Sequence, residues 1–114
     1  MDNCLFCDIV NNTVPCDKLL ENDSIIAFRD INPQAPTHIL IIPKKHISTI
    51  NDLDPADSML VGELFLKAKE LAEMENINKS GFRTVFNCNG DGGQTVFHIH
   101  LHLLGGRQLS WPPG

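Results

Sequence analysis

The segment Phe97-His98-Ile99-His100-Leu101-His102-Leu103-Leu104 alternates imidazole with apolar side chains, and that alternation admits few local structures. Residues two apart on a β-strand share a face, so the segment predicts a strand over 98–104. His98, His100 and His102 then line one side, while Ile99, Leu101 and Leu103 cover a core on the other. Three of the chain's five histidines stand in this register. A half-exposed strand with incidental histidine is the bland alternative, and it suits one ring better than three. Histidine has an unperturbed pKa close to working pH, so a row of imidazoles is a chemical surface.

The rest of the chain limits what that surface can serve. A length of 114 residues suits a single domain, 1–114, with one real core. No apolar run is longer than that of Ile39 to Ile42, far short of the ~20 residues a membrane-spanning helix needs, so no membrane partner is expected. A net charge of −5 with nine Lys and Arg argues against nucleic acid, whose phosphate backbone is bound by basic patches. The first residues show no basic patch followed by an apolar stretch, which predicts no secretory leader, reduced cysteines and a cytoplasmic location.

Residues 4–11 read as a short helix. Residues 18–21 and 24–29 read as strands across an Asn22-Asp23 turn, and 38–43 as a buried strand after a Pro-rich loop. Asp54-Pro55 supplies an N-cap and a first-turn proline. After it Leu60, Val61, Leu64, Phe65, Ala68, Leu71 and Ala72 recur at helical spacing, with Glu63, Lys67, Glu70 and Glu73 on a solvated face. Residues 82–87 and 98–104 complete the strands. Strands around one long helix with hairpin-like links predict an α+β fold.

Between the last strands lies Asn87-Cys88-Asn89-Gly90-Asp91-Gly92-Gly93-Gln94-Thr95, where three glycines open backbone conformations closed to other residues. Such a loop can aim N–H groups at an anion, although by itself it also reads as an ordinary turn. Its position decides, because a phosphate held there sits beside an imidazole. A neutral imidazole attacks phosphorus when one ring nitrogen is unprotonated and the other is fixed by a hydrogen bond. His100 is flanked by rings able to orient it and to contact phosphate oxygens. A His₃ metal centre is the rival chemistry, and no nearby carboxylate stands ready to orient it.

The run His98-Ile99-His100-Leu101-His102-Leu103-Leu104 resembles the signature of the histidine triad (HIT) superfamily, and the chain is similar to its nucleotide-binding Hint branch. Further blocks carry the resemblance: Phe28-Arg29-Asp30-Ile31-Asn32-Pro33-Gln34-Ala35-Pro36-Thr37-His38, Pro43-Lys44-Lys45-His46-Ile47, Asp91-Gly92-Gly93-Gln94, and the ending from Gly105 to Gly114 with Trp111-Pro112-Pro113. The resemblance implies a five-stranded antiparallel sheet with one long and one short N-terminal helix, paired into a homodimer with a joined ten-stranded sheet. It implies a purine nucleoside phosphoramidase that releases AMP or GMP, with no cofactor required for catalysis. By the family's pattern His100 is the nucleophile, His102 and Asn87 contact phosphate, Gly93 and Thr95 hold the phosphate and leaving group, and His38 supports proton transfer. Asp30 matches the ribose acceptor, Leu5, Phe6, Phe28 and Ile31 the walls around the base, and Trp111 a tail that reaches toward the partner's site.

Bottom-up, a carboxylate suits a ribose diol and an apolar slot suits a purine. Phe28 and Ile31 also read as plain core residues. Cys4-Leu5-Phe6-Cys7 departs from many Hint proteins. Relatives that carry the pair bind zinc, with partners matching His46 and His98, which would close a Cys₂His₂ structural site. The pair also reads as two small buried hydrophobes or, less well in this element order, as a redox motif. Cys16 and Cys88 read as free thiols. Thr95 stands where many relatives have Ser. Arg29 stands where many have His; it could point to solvent, and it is assigned no role. A dinucleoside polyphosphate hydrolase and a nucleotide-binding scaffold with little turnover are the alternative functions.

Overall fold

A computed structural model describes residues 4–114. The elements in chain order are helix α1 (Leu5–Val10), strands β1 (Lys18–Glu21), β2 (Ile25–Arg29) and β3 (Thr37–Pro43), helix α2 (Ser58–Met74), strand β4 (Phe82–Val85), the one-turn helix α3 (Asn89–Gly92) and strand β5 (Leu101–Gly105). The strands form one antiparallel sheet in the order β1-β2-β3-β5-β4. The α+β architecture, with one long helix and a short N-terminal one, is the one the sequence predicts.

The sheet is covered on both faces, which explains why β3 is buried along its whole length. Ile25, Ala27, Ile39, Ile41, Leu101 and Leu103 meet Leu64, Ala68, Leu71 and Ala72 of α2. Ile26, Phe28, Leu40 and Ile42 point the other way and pack with Phe6 and Ile9 of α1. Alternate residues of each central strand thus serve two cores. Helix α1 has six residues, too few to hold on helical propensity alone, so its packing face and its Cys4 cap sustain it.

Several boundaries differ from the sequence expectation, each for a local reason. The chain after Asp54 first makes a 3₁₀ turn at Pro55–Asp57 and becomes α-helical at Ser58. Asp54 caps that turn, its side chain accepting from the Ala56 N–H at 2.8 Å, while the Asp57 carboxylate accepts from the Asp54 N–H at 2.9 Å. Asp57 also pairs with Lys45 at 2.7 Å. On α2, Phe65 is exposed although it lies on the apolar stripe. Strand β4 stops at Val85 rather than at residue 87. Strand β5 begins at Leu101 rather than at His98, because residues 98–100 run beyond the ladder; there the Ile99 N–H donates to the Ile47 carbonyl at 2.8 Å. Arg29 does not point freely to solvent. Its guanidinium forks onto Glu75 at 2.9 and 2.8 Å, tying β2 to the residue that ends α2. Among the described residues, no helix is long and apolar enough to cross a membrane.

Candidate active site

The register of three strands builds the site. Phe28 faces Leu40 and Leu40 faces His102, so the three form a row across β2, β3 and β5. His38 stands two residues before Leu40 and reaches His102 diagonally, with His38 Nε2 2.9 Å from His102 Nδ1. Asp30 follows β2, its N–H donating to the His38 carbonyl at 3.0 Å. Its carboxylate lies 3.4 Å from His38 Nε2.

These groups open on a cleft of about 580 Å³. Leu5, Phe6, Phe28, Asp30, Ile31, His38, Gly93, Thr95, His100 and His102 all line it. Phe28 is both a core residue and a wall, whereas Ile31 is 97% exposed at the mouth and belongs to no core. Two of the expected nucleotide contacts lie elsewhere. Trp111 is 80% exposed and stacks on Arg83, whose guanidinium carbon is 5.9 Å from the ring centre. Asn87 is half-buried beneath Gly92 rather than on the cleft wall. Ile9, Val14, Cys16, Leu40 and Val96 also line it, and no spacing motif marks them.

Hydrogen bonds fix which nitrogen of each ring carries the proton. His100 Nδ1 donates to the His98 carbonyl at 2.8 Å, which leaves Nε2 unprotonated and available to the cleft. The Gln34 N–H donates to His38 Nδ1 at 3.0 Å, so His38 holds its proton on Nε2 and offers it to His102 Nδ1. His102 must then carry its own proton on Nε2, and that buried atom meets no protein partner. Burial lowers the pKa of His38 and of His100, and the Asp30 carboxylate opposes the shift in both. His102 falls to about 4 through burial and the neighbouring His100 and His38 rings. The cleft therefore meets one lone pair, on His100, and the His38–His102 pair leaves one unpartnered N–H, on His102.

The glycine loop departs from a simple cradle of N–H groups. Its first part is helix α3, and the Gly93 and Gln94 N–H groups donate to Gly90 and Asn89 carbonyls at 3.0 Å each. Gly93 closes the turn with φ of +82°, in the left-handed region where a side chain is disfavoured.

His98 belongs to a second cluster. Its ring is fully buried and its Nε2 donates to the Pro43 carbonyl at 2.7 Å, which leaves Nδ1 as a bare lone pair. That atom faces His46 Nδ1 at 3.2 Å, Cys4 Sγ at 3.4 Å and Cys7 Sγ at 3.6 Å. Cys7 Sγ lies 3.3 Å from His46 Nδ1. The four donor atoms sit within 4.8 Å of one another, a grouping able to hold a metal ion. Burial and the adjacent Cys4 sulfur push the Cys7 thiol up to about 11, a preference a dication would reverse. The three histidines do share one side, but only His100 and His102 face the cleft. His98 supports His100 through its backbone.

A HIT domain family model matches residues 11–109, nearly the whole chain. The chain belongs to the HIT domain family. An uncharacterized HIT-like protein of Synechocystis sp. is 47% identical to this HIT chain over 113 residues, covering 99% of it and 98% of that relative. In structure it is similar to a HIT family hydrolase from Legionella pneumophila Philadelphia 1, with TM-score 0.97 and 58% identity, covering 98% of this chain and 100% of that one. A histidine triad protein from Clostridium difficile superposes with TM-score 0.93 at 38% identity, covering 96% of each chain. His100 and His102, within the matched range, line the cleft.

Proposed function

We propose that this HIT protein is a hydrolase of the Hint branch that cleaves the P–N bond of purine nucleoside 5′-phosphoramidates. One observation carries the reading: His100 is a neutral ring whose Nδ1–H is bound to the His98 carbonyl and whose Nε2 is left to the cleft. In the first step Nε2 attacks the α-phosphorus, the P–N bond breaks, and the amine leaves with a proton taken up from water. The resulting nucleotidyl-imidazolium is positive, and the His98 carbonyl and the Asp30 carboxylate favour that charge. His102 Nε2–H, without a protein acceptor, suits a non-bridging phosphate oxygen. Water then attacks phosphorus, the P–Nε2 bond breaks, and the nucleoside monophosphate departs. Asp30 would accept from the ribose hydroxyls, while Leu5, Phe6, Phe28 and Ile31 would flank the base.

The metal cluster reads as a structural zinc site. A tetrahedral zinc sets nitrogen–nitrogen separations near ~3.3 Å and nitrogen–sulfur separations near ~3.5 Å. The observed 3.2 Å and 3.3–3.6 Å agree, and two imidazole nitrogens otherwise have little reason to converge on two thiols. Zinc held by Cys4, Cys7, His46 and His98 would fasten α1 to the sheet and take no part in the reaction. A homodimer with sheets joined through β4 is also part of this reading. Strand β4 is an edge with Phe82 exposed, a surface that single chains usually cover.

Hydrolysis of adenosine 5′-phosphoramidate, run beside a diadenosine polyphosphate with native protein and His100→Ala, tests the reading. AMP release from the phosphoramidate, lost in the variant, is the expected result. Preference for the polyphosphate moves the chain to a dinucleoside polyphosphate hydrolase. Binding of AMP without turnover of either substrate leaves a scaffold.

A further inference from the structure

Within residues 89–95 only Gln94 is buried, at 6% exposure. Its amide is almost fully engaged. Oε1 accepts from the Asn89 N–H at 2.9 Å, and Nε2 donates to the Ser48 carbonyl at 2.7 Å and to the Val96 carbonyl at 3.1 Å. One side chain therefore joins the start of the loop, its exit and the segment between β3 and α2. Its neighbours on either side, Gly93 and Thr95, are the two loop residues before Val96 that line the cleft. A loop with three glycines has much conformational entropy to lose on ordering, and nothing else buried within 89–95 restrains it.

We propose that Gln94 is a positioning residue that holds Gly93 and Thr95 in place for the phosphate of a bound nucleotide. The proposal rests on the nucleotide reading of the cleft. Gln94 touches no ligand itself; both amide hydrogens and one carbonyl lone pair already serve the backbone. Its action is on the shape of the rim, so it concerns the phosphate and not the nucleoside, whose walls come from α1 and β2.

Calorimetric binding of adenosine and of AMP to native protein, Gln94→Met and Gln94→Glu separates these roles. Methionine keeps the length and removes the hydrogen bonds. Glutamate keeps the acceptor for Asn89 and turns a carboxylate on the Ser48 and Val96 carbonyls, which gives a second variant should the first fail to fold. Loss of the two or three bonds predicts AMP affinity reduced about tenfold or more, with adenosine affinity within about twofold of native. Variants that keep the native preference for AMP over adenosine overturn the role of Gln94. So do variants that lose adenosine and AMP affinity in step, the sign of general loosening. A native protein that binds AMP no tighter than adenosine removes the nucleotide reading of the rim, and this proposal with it.

Discussion

Removing metal from the proposed zinc site at Cys4, Cys7, His46 and His98 is predicted to lower stability by an amount large enough to read directly. Cys4 caps α1 and Cys7 lies within it, so a metal in the cluster would tie a six-residue helix to the sheet beside its apolar packing. Without a cation, the bare His98 Nδ1 faces His46 Nδ1 at 3.2 Å and the two thiols, a poor set of partners for a buried lone pair. A ligand bound only by the folded state at a thousand times its dissociation constant contributes about 4 kcal/mol. For a chain of this size that corresponds to roughly 10–25 °C in Tm. Calorimetric scans with and without a strong chelator measure it, and Cys7→Ser should melt near the chelated value and respond little to chelator. Metal-free protein that melts within a degree or two of the native preparation would refute the reasoning, as would a Cys7→Ser variant that still binds one metal per chain.

Other outcomes follow from single groups. Asp30→Ala should weaken binding of a ribonucleotide while leaving the 2′,3′-dideoxynucleotide nearly unchanged, by comparison of the two affinities; equal losses would sink the ribose assignment. His102, lowered to about 4, binds fewer protons folded than unfolded between about pH 4 and 6.5. Stability from this ring is thus present above about pH 6.5 and declines as pH falls toward 4, with a slope below about 1.4 kcal/mol per pH unit after solvent screening. Denaturant titrations across that range should show a shallower slope in His102→Gln. Arg29→Met should cost about 1 kcal/mol by urea denaturation, since the fork onto Glu75 is partly exposed. Leu64, fully buried under the sheet, should cost about 2–5 kcal/mol on change to alanine in the same assay.

The triad's facing was legible because period two is a property of extended backbone, whether or not a ladder forms. The start of β5 was not legible, since a ladder needs a partner and the chain between β4 and β5 leaves residues 98–100 without one on that side. Asp54 and Pro55 announced a helix correctly, but the tighter first turn depends on Asp57, whose carboxylate serves the cap and Lys45 together. Arg29 gave no signal of its partner, because Glu75 is 46 residues away and the pairing exists only once α2 lies across the sheet. Ten of the expected cleft residues came together, carried by motif and register. The role of Gln94 rests on carbonyls of Ser48 and Val96, and backbone acceptors leave no trace in side-chain identity.

The proposed covalent step at His100 is tested most directly by mass spectrometry of peptides after a single turnover of adenosine 5′-phosphoramidate, stopped in alkaline denaturant to protect an acid-labile P–N bond. The peptide containing His100 should carry one nucleotidyl group early in the reaction and lose it as AMP forms. A nucleotidyl group on another side chain, or AMP formation throughout the time course with that peptide unmodified, would contradict nucleophilic attack by His100.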